Sequence, residues 1–494
     1  MAFSWNLVGT VLIGVAFSVF ALTRDSVRWG LILPYSPFWL VLATVLSQHI
    51  YSHLGSGHYA NSQFAFTCVY FSIIAGTLSS LCMASIGGYI DAFLCLALVV
   101  VPAVRVLQVE NISNGPARSL RQPISDDPSV PLLPSASRHS ESQKRLGLFV
   151  ANFVATAACI LILMGILSST SLNLLFRINR YNPAEMQSVV LDGQTLQVHM
   201  HCRGEGQPTI ILSSGMAVPS ALSWKDMFGS LANTTKTCWV DRPGYGFSQS
   251  ARLPQTSRKY ADILEQLFVR SSPNESFVLV AHSYGGYDVR LLADRYESRV
   301  KAMVLIEAST DDFPSAMDKI QHGAASREMG EMRDFSRAFE LLSLLAPVGL
   351  DRLFKGVYED SHIRTKLEDR FVGTIFNNRF HRACANELSH FLGQSLEQVR
   401  RSRLGRPYHF PVLVVTGGLE IANGCPESHK QACTQEQVRA AAHRLTQAKL
   451  VDLGQPDHPF TQQIVVKDSN HFVIFNSPGL LVSKITEIVQ YLRK

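Results

Sequence analysis

Phe277-Val278-Leu279-Val280-Ala281-His282-Ser283-Tyr284-Gly285-Gly286 is the stretch on which the fold of this 494-residue chain turns. Phe277 to His282 is an apolar run of strand length, and the residues from about 284 to 297 have the spacing of a helix. A strand that passes into a helix through one sharp turn leaves Ser283 on a bend where only small neighbours fit. Similar short runs occur on both sides of it, at 195–201, 209–214, 236–241, 302–307, 412–417 and 462–468. Helical stretches lie at about 257–271, 284–297 and 478–493. Alternation of this kind predicts an α/β fold, a mainly parallel sheet with helices on both faces. Between Ala308 and Phe410 the alternation stops, and a helical cap is expected over about 310–409.

The strand, Ser283 and the two glycines resemble the nucleophile elbow of the α/β-hydrolase superfamily, G-x-S-x-G, with Ala281 at the first glycine. The resemblance covers about residues 188–494. It implies Ser283 as nucleophile, and a serine hydroxyl needs a base to take its proton. His471, in Lys467-Asp468-Ser469-Asn470-His471-Phe472, follows the last strand and precedes the terminal helix, where the superfamily places that base. Asn470 stands where a glycine is common. Stretches such as Tyr296–Glu307 and APVGLDRLF are similar to a widespread bacterial and fungal group of serine hydrolases.

The third member must be a carboxylate that orients the imidazole. Two positions compete. Glu420 follows the run VLVVTG and matches the commoner superfamily site, while Glu307 ends the run AMVLIE, a site used by haloalkane dehalogenases among others. Glu420 is favoured, Asp311 and Asp312 are further candidates, and the sequence leaves the choice open. The resemblance also implies two backbone donors for a developing oxyanion, Tyr284 N–H and Met216 N–H, with Ser214 where His-Gly-x usually has its histidine. Asp241-Arg242-Pro243-Gly244-Tyr245-Gly246-Phe247-Ser248, another superfamily hallmark, reads as a structural turn.

The N-terminal part has a different character. Residues 1–104 carry only four charges, Arg24, Asp25, Arg28 and Asp91. Apolar stretches at about 5–22, 31–50, 64–86 and 89–109, and a fifth at about 147–168, each approach the roughly 20 residues that cross a bilayer core. The expected organisation is four transmembrane helices in 1–109, a flexible polar linker at 110–146, a fifth helix in 147–176, and the hydrolase domain in 180–494. Arg105, Arg118, Arg121, Arg138, Lys144 and Arg145 in and beside the linker place it in the cytoplasm. The hydrolase domain then falls on the lumenal or external side. The sequons at Asn233 and Asn274 and the pair Cys425 and Cys433 agree with that side, whereas Arg177 and Arg180 oppose it.

Hydrophobic residues make up 47% of the chain and charged residues 17%, and the mean hydropathy is +0.11, which excludes a disordered chain. A net charge of +6 spread over this length does not suggest nucleic-acid binding. No phosphate-binding glycine loop or paired metal-ligand spacing occurs, so no cofactor and no metal are expected. The sequence therefore predicts a membrane-embedded serine hydrolase, with the lipid bilayer as partner and a lipophilic ester as substrate. A peptidase or amidase would need acids in the cap, such as Glu359, Asp360, Glu368 and Asp369. A non-catalytic membrane protein with a degenerate domain would account for Ser214 and Ala281.

Overall fold

The computed structural model describes residues 165–166, 182–358, 373–402, 405–419, 425 and 432–494. Four of the expected spans and the linker lie outside the described residues, as does all of the fifth span except Gly165 and Ile166. No helix among the described residues is long and apolar enough to cross a membrane.

Eight strands form one sheet: β1 (Met186–Leu191), β2 (Gln194–Arg203), β3 (Thr209–Ser213), β4 (Thr237–Val240), β5 (Phe277–His282), β6 (Val300–Ile306), β7 (Val412–Gly417) and β8 (Gln462–Val466). Their order is β1-β2-β4-β3-β5-β6-β7-β8. The β1–β2 and β2–β4 pairs are antiparallel, and β4, β3 and β5 to β8 run parallel. Strand β1 was not expected from the sequence. Its signal is Asp192-Gly193, whose positive φ angles of 51° and 72° make the two-residue turn that joins it to β2. Cys202 and Cys238, paired across β2 and β4, form a disulfide, and Cys425 bonds to Cys433.

The helices that matter for the site are α1 (Phe228–Thr234), α2 (Ser257–Leu264), α3 (Gly285–Tyr296), α4 (Phe313–Ile320), α5 (Ala324–Leu345), α6 (Asn378–His390), α7 (Leu396–Ser402), α8 (Gln435–Lys449) and α9 (Pro478–Leu492). Strands β3 to β7 are buried almost along their whole length because both faces of the sheet are covered. Side chains alternate between the two faces with the period of two that a strand imposes. Phe277, Leu279 and Ala281 of β5 pack with Met303 and Leu305 of β6 against Ile263 and Leu264 of α2 and Val289 and Leu292 of α3. Val278 and Val280 pack with Val304 and Ile306 against Leu231 of α1 and Leu481, Ile485 and Ile488 of α9. The stretch between β6 and β7 contains α4 to α7 and short 3-10 turns, a helical insertion that places α5 and α6 side by side.

This arrangement predicts a steep cost for truncating the central strand. Leu279 has no solvent exposure, so Leu279→Ala should lose about 2–5 kcal/mol of stability, read as a fall in melting temperature. Val465 on the edge strand β8 is 44% exposed, and Val465→Ala should change stability by less than about 0.5 kcal/mol.

Candidate active site

Ser283 sits between β5 and α3 with φ at +53°, a left-handed conformation that few residues other than glycine adopt. The neighbouring backbone holds it there. Ser283 N–H donates to Ile306 O at 3.1 Å, and Ser283 O accepts from Gly286 N–H at 3.0 Å and Ser309 N–H at 2.9 Å. The glycines are required by close approach: a Cβ on Gly285 would collide with the Ser213 carbonyl, and one on Gly286 would lie 2.7 Å from Ala308 Cβ.

Glu307 follows β6 with φ at +47° and is buried. Gly417 N–H donates to its Oε1 at 2.5 Å, and its Oε2 lies 3.1 Å from His471 Nδ1 and 2.7 Å from His443 Nε2. Burial alone would raise the carboxyl pKa, but the charge and hydrogen bonding of His443 and then of His471 hold it well below the usual carboxylate range. An ionised carboxylate only accepts, so Nδ1 of His471 carries the proton that faces it, and Nε2 is left as an acceptor. The His471 side chain is 37% exposed, in keeping with a base that must meet substrate.

His471 is fixed from behind as well as from the side. The imidazole of His282, one residue before Ser283, hydrogen-bonds through Nε2 to the His471 carbonyl at 3.0 Å, and the two rings lie 5.0 Å apart. Burial pushes His282 down to about 3, with the nearby His471 acting in the same direction, so it is neutral and Nε2 is its donor. Asn470 Oδ1 accepts from Phe472 N–H and from Asn476 Nδ2, both at 3.0 Å. Gly417 and Gly418 let the end of β7 pass directly behind this loop, where a Cβ on Gly417 would lie 2.5 Å from Asn470 O.

The loop with the expected oxyanion donor runs beside the nucleophile. A Cβ on Gly215 would lie 3.0 Å from Ser283 Cβ and 3.4 Å from its Oγ. Met216 is half-buried and packs with Tyr284, Tyr287, Phe391 and Leu392. The structure thus brings Ser283 and the Gly215-Met216 loop together at one site, and Glu307 and His471 together in a hydrogen bond. Glu420, favoured as the acid, lies outside the described residues, as do Glu359, Asp360, Glu368 and Asp369.

A family model described as the alpha/beta hydrolase fold matches residues 208–477, more than half of the chain. The chain belongs to that family. An uncharacterized protein of Bacillus subtilis, YbdG, is 25% identical to this hydrolase over 236 residues, which are 46% of this chain and 67% of the relative. An uncharacterized protein of Schizosaccharomyces pombe is 24% identical over 165 residues, 30% of this chain and 28% of that relative. Among solved structures, a thermophilic esterase from Thermogutta terrifontis is similar with 17% identity and a TM-score of 0.42, covering 63% of this chain and 99% of that one. The Cif epoxide hydrolase from Acinetobacter nosocomialis has 15% identity and a TM-score of 0.47, covering 66% and 96%.

In this alpha/beta hydrolase, Ser214 stands where the family pattern has a histidine, and a buried polar cluster holds the loop instead. Ser214 Oγ lies 3.1 Å from Ser220 Oγ, and Arg242 Nη2 donates to Ser214 O at 2.9 Å. Ala217 N–H donates to the hydroxyl of Tyr245 at 3.0 Å, and that hydroxyl donates at 2.8 Å to Glu387 of α6. Arg242 is buried and faces two carboxylates, Asp288 of α3 and Glu387 at 3.7 Å. Burial pushes Glu387 up to about 7, against the pull of Arg242 and Tyr245. The Arg242–Ser248 turn therefore does more than shape the chain: through Tyr245 and Glu387 it connects the insertion to the Ser214–Ala217 loop. Nothing in the sequence pairs Glu387 with Tyr245, since 142 positions separate them.

Removing the Tyr245 hydroxyl would leave both Ala217 N–H and Glu387 without this partner. Tyr245→Phe should reduce the rate at which a serine-directed probe labels Ser283 by about tenfold, since the loss of one buried hydrogen-bonded group misplaces the adjacent donor. Circular dichroism should show the fold retained.

Proposed function

We propose that this chain is a membrane-anchored serine hydrolase that cleaves a carboxylic ester or lipid through an acyl-enzyme, with Ser283, His471 and Glu307 as its triad. The observation that carries the reading is the hydrogen bond between His471 and a buried, ionised Glu307, beside a serine held in a strained turn. Ser283 Oγ attacks the ester carbonyl, and its proton passes to Nε2 of His471. Glu307 stabilises the imidazolium without taking that proton. The N–H groups of Met216 and Tyr284 receive the oxyanion. The intermediate collapses, the C–O bond breaks, and His471 returns the proton to the departing alkoxide. Water, deprotonated by His471, then attacks the acyl-enzyme and releases the acid and Ser283.

The apolar N-terminal stretches support the membrane anchor and favour a lipophilic substrate, since a tethered site meets esters concentrated in the bilayer. An external or lumenal position for the domain is supported by two disulfides, Cys202–Cys238 and Cys425–Cys433, which persist in oxidising compartments. Asn233 and Asn274 are both exposed, as acceptors of glycans must be.

Fluorophosphonate labelling of membranes that contain the full chain tests the reading. Ser283→Ala and His471→Ala should abolish labelling while the protein stays in the membrane fraction. Glu307→Gln should slow labelling by roughly 10⁴-fold, the scale expected for loss of a triad carboxylate. Glu420→Gln should alter it only a few-fold. The reverse ranking of the two carboxylates would return the acid to Glu420, and persistent labelling of Ser283→Ala would remove the triad.

A further inference from the structure

The carboxylate of the proposed triad has more than one histidine to serve. His471 Nδ1 and His443 Nε2 approach the same oxygen, Oε2 of Glu307, at 3.1 Å and 2.7 Å. The other oxygen is occupied by Gly417 N–H. His443 lies in α8, and its side chain is 17% exposed. The helix is pinned at this place: Gln447, one turn after His443, donates from Nε2 to the carbonyl of Ala308 at 2.6 Å. Ala308 is the residue after Glu307, so the distance from α8 to the acid is fixed at the acid's own backbone.

We propose that His443 is a positioning residue of the reaction, a second cation on Glu307 that sets how much of the carboxylate's charge is left to support His471. The proposal rests on the triad of Ser283, His471 and Glu307. One carboxylate carries one negative charge. When His471 accepts the proton of Ser283, the imidazolium is stabilised by the part of that charge not already matched by another cation. A proton on His443, whose Nε2 lies 2.7 Å from Oε2, would match much of it. The support that Glu307 gives to the imidazolium is thereby smaller than Glu307 alone would supply.

The other titratable groups on elements packed against α8 have separate placements. On α5, Glu328 and Glu331 pair with Arg439, one turn before His443. On α4, Asp318 accepts from Ala325 N–H and Lys319 is exposed, while Asp312 stands at the head of the helix. Asp311, just before α4, pairs with Arg290. Strand β7 has no titratable side chain, and Asp452 lies in the turn after α8. On the His471 side, His282 is neutral.

The test is the rate of fluorophosphonate labelling of Ser283 in membranes holding the full chain, followed from about pH 5 to 9, where an imidazole titrates. His443→Gln removes the second cation. Its acid limb should move to higher pH by about one unit. His443→Lys keeps a cation at the position, and its limb should stay with the native one. A limb that does not move in His443→Gln would overturn the proposal, as would a limb that moves up equally in His443→Lys. If one variant does not fold, the limb of the other decides by the same criteria. A native chain that fails to label at any pH would overturn the triad reading, and this role with it.

Discussion

The catalytic end of the domain depends on one negative charge held inside an apolar sheet. Glu307 follows a strand buried on both faces, and an isolated carboxylate there would be neutral. It is kept ionised by three donors that arrive from three other places in the chain: Gly417 at the end of β7, His443 in α8 and His471 after β8. Each donor needs the sheet register to be correct. The left-handed backbone at Glu307 turns the carboxylate toward them, and Glu307 N–H is itself bound to Val415 O at 2.8 Å. The acid is therefore a consequence of the β5-β6-β7 order, and it in turn sets the orientation of the histidine.

A second buried charge organises the other side of the site. Arg242 lies between Asp288 and Glu387 and under the rings of Tyr260 and Tyr284, at 4.4 and 4.8 Å from their centroids. Through Ser214 O it fixes the start of the Ser214–Ala217 loop, and beside it Tyr245 fixes the end of that loop. Removing one partner from such a network costs far more than the pair contributes, because a charge would be left without compensation. The helical insertion contributes Glu387 to this cluster, so the insertion and the loop are set by one group of side chains.

Much of the fold could be read directly in the sequence, because β-branched runs of strand length alternate with helical spacing, and an apolar strand ending in His282-Ser283-Tyr284-Gly285-Gly286 fits little besides an elbow. Strand β1 escaped because only Val189 and Leu191 of its six residues are buried and Met186, Gln187 and Ser188 do not suggest a strand. Its Asp-Gly turn was the available signal. The choice of acid could not be made from sequence, since Glu307 and Glu420 both follow buried strands. The contact of Glu307 with His471 spans 164 positions and is a tertiary fact. His443 and His282 were hidden for a related reason: a histidine within a helix or at a strand end carries no local mark of what it faces. The Cys202–Cys238 bond depends on the antiparallel register of β2 with β4, which no spacing along the chain discloses.

That bond also decides how the domain bears load. Residue 182 leads into the β1–β2 hairpin at one margin of the sheet, beyond β4 and β3 from the elbow strand. A pull applied at residue 182 is resisted by the six residue pairs of the β1–β2 ladder, which would open one after another. The covalent link from β2 to β4 then stops the unzipping. Tension applied at residue 182 is thus absorbed in a sacrificial hairpin, and the strand that holds Ser283 is mechanically insulated from it.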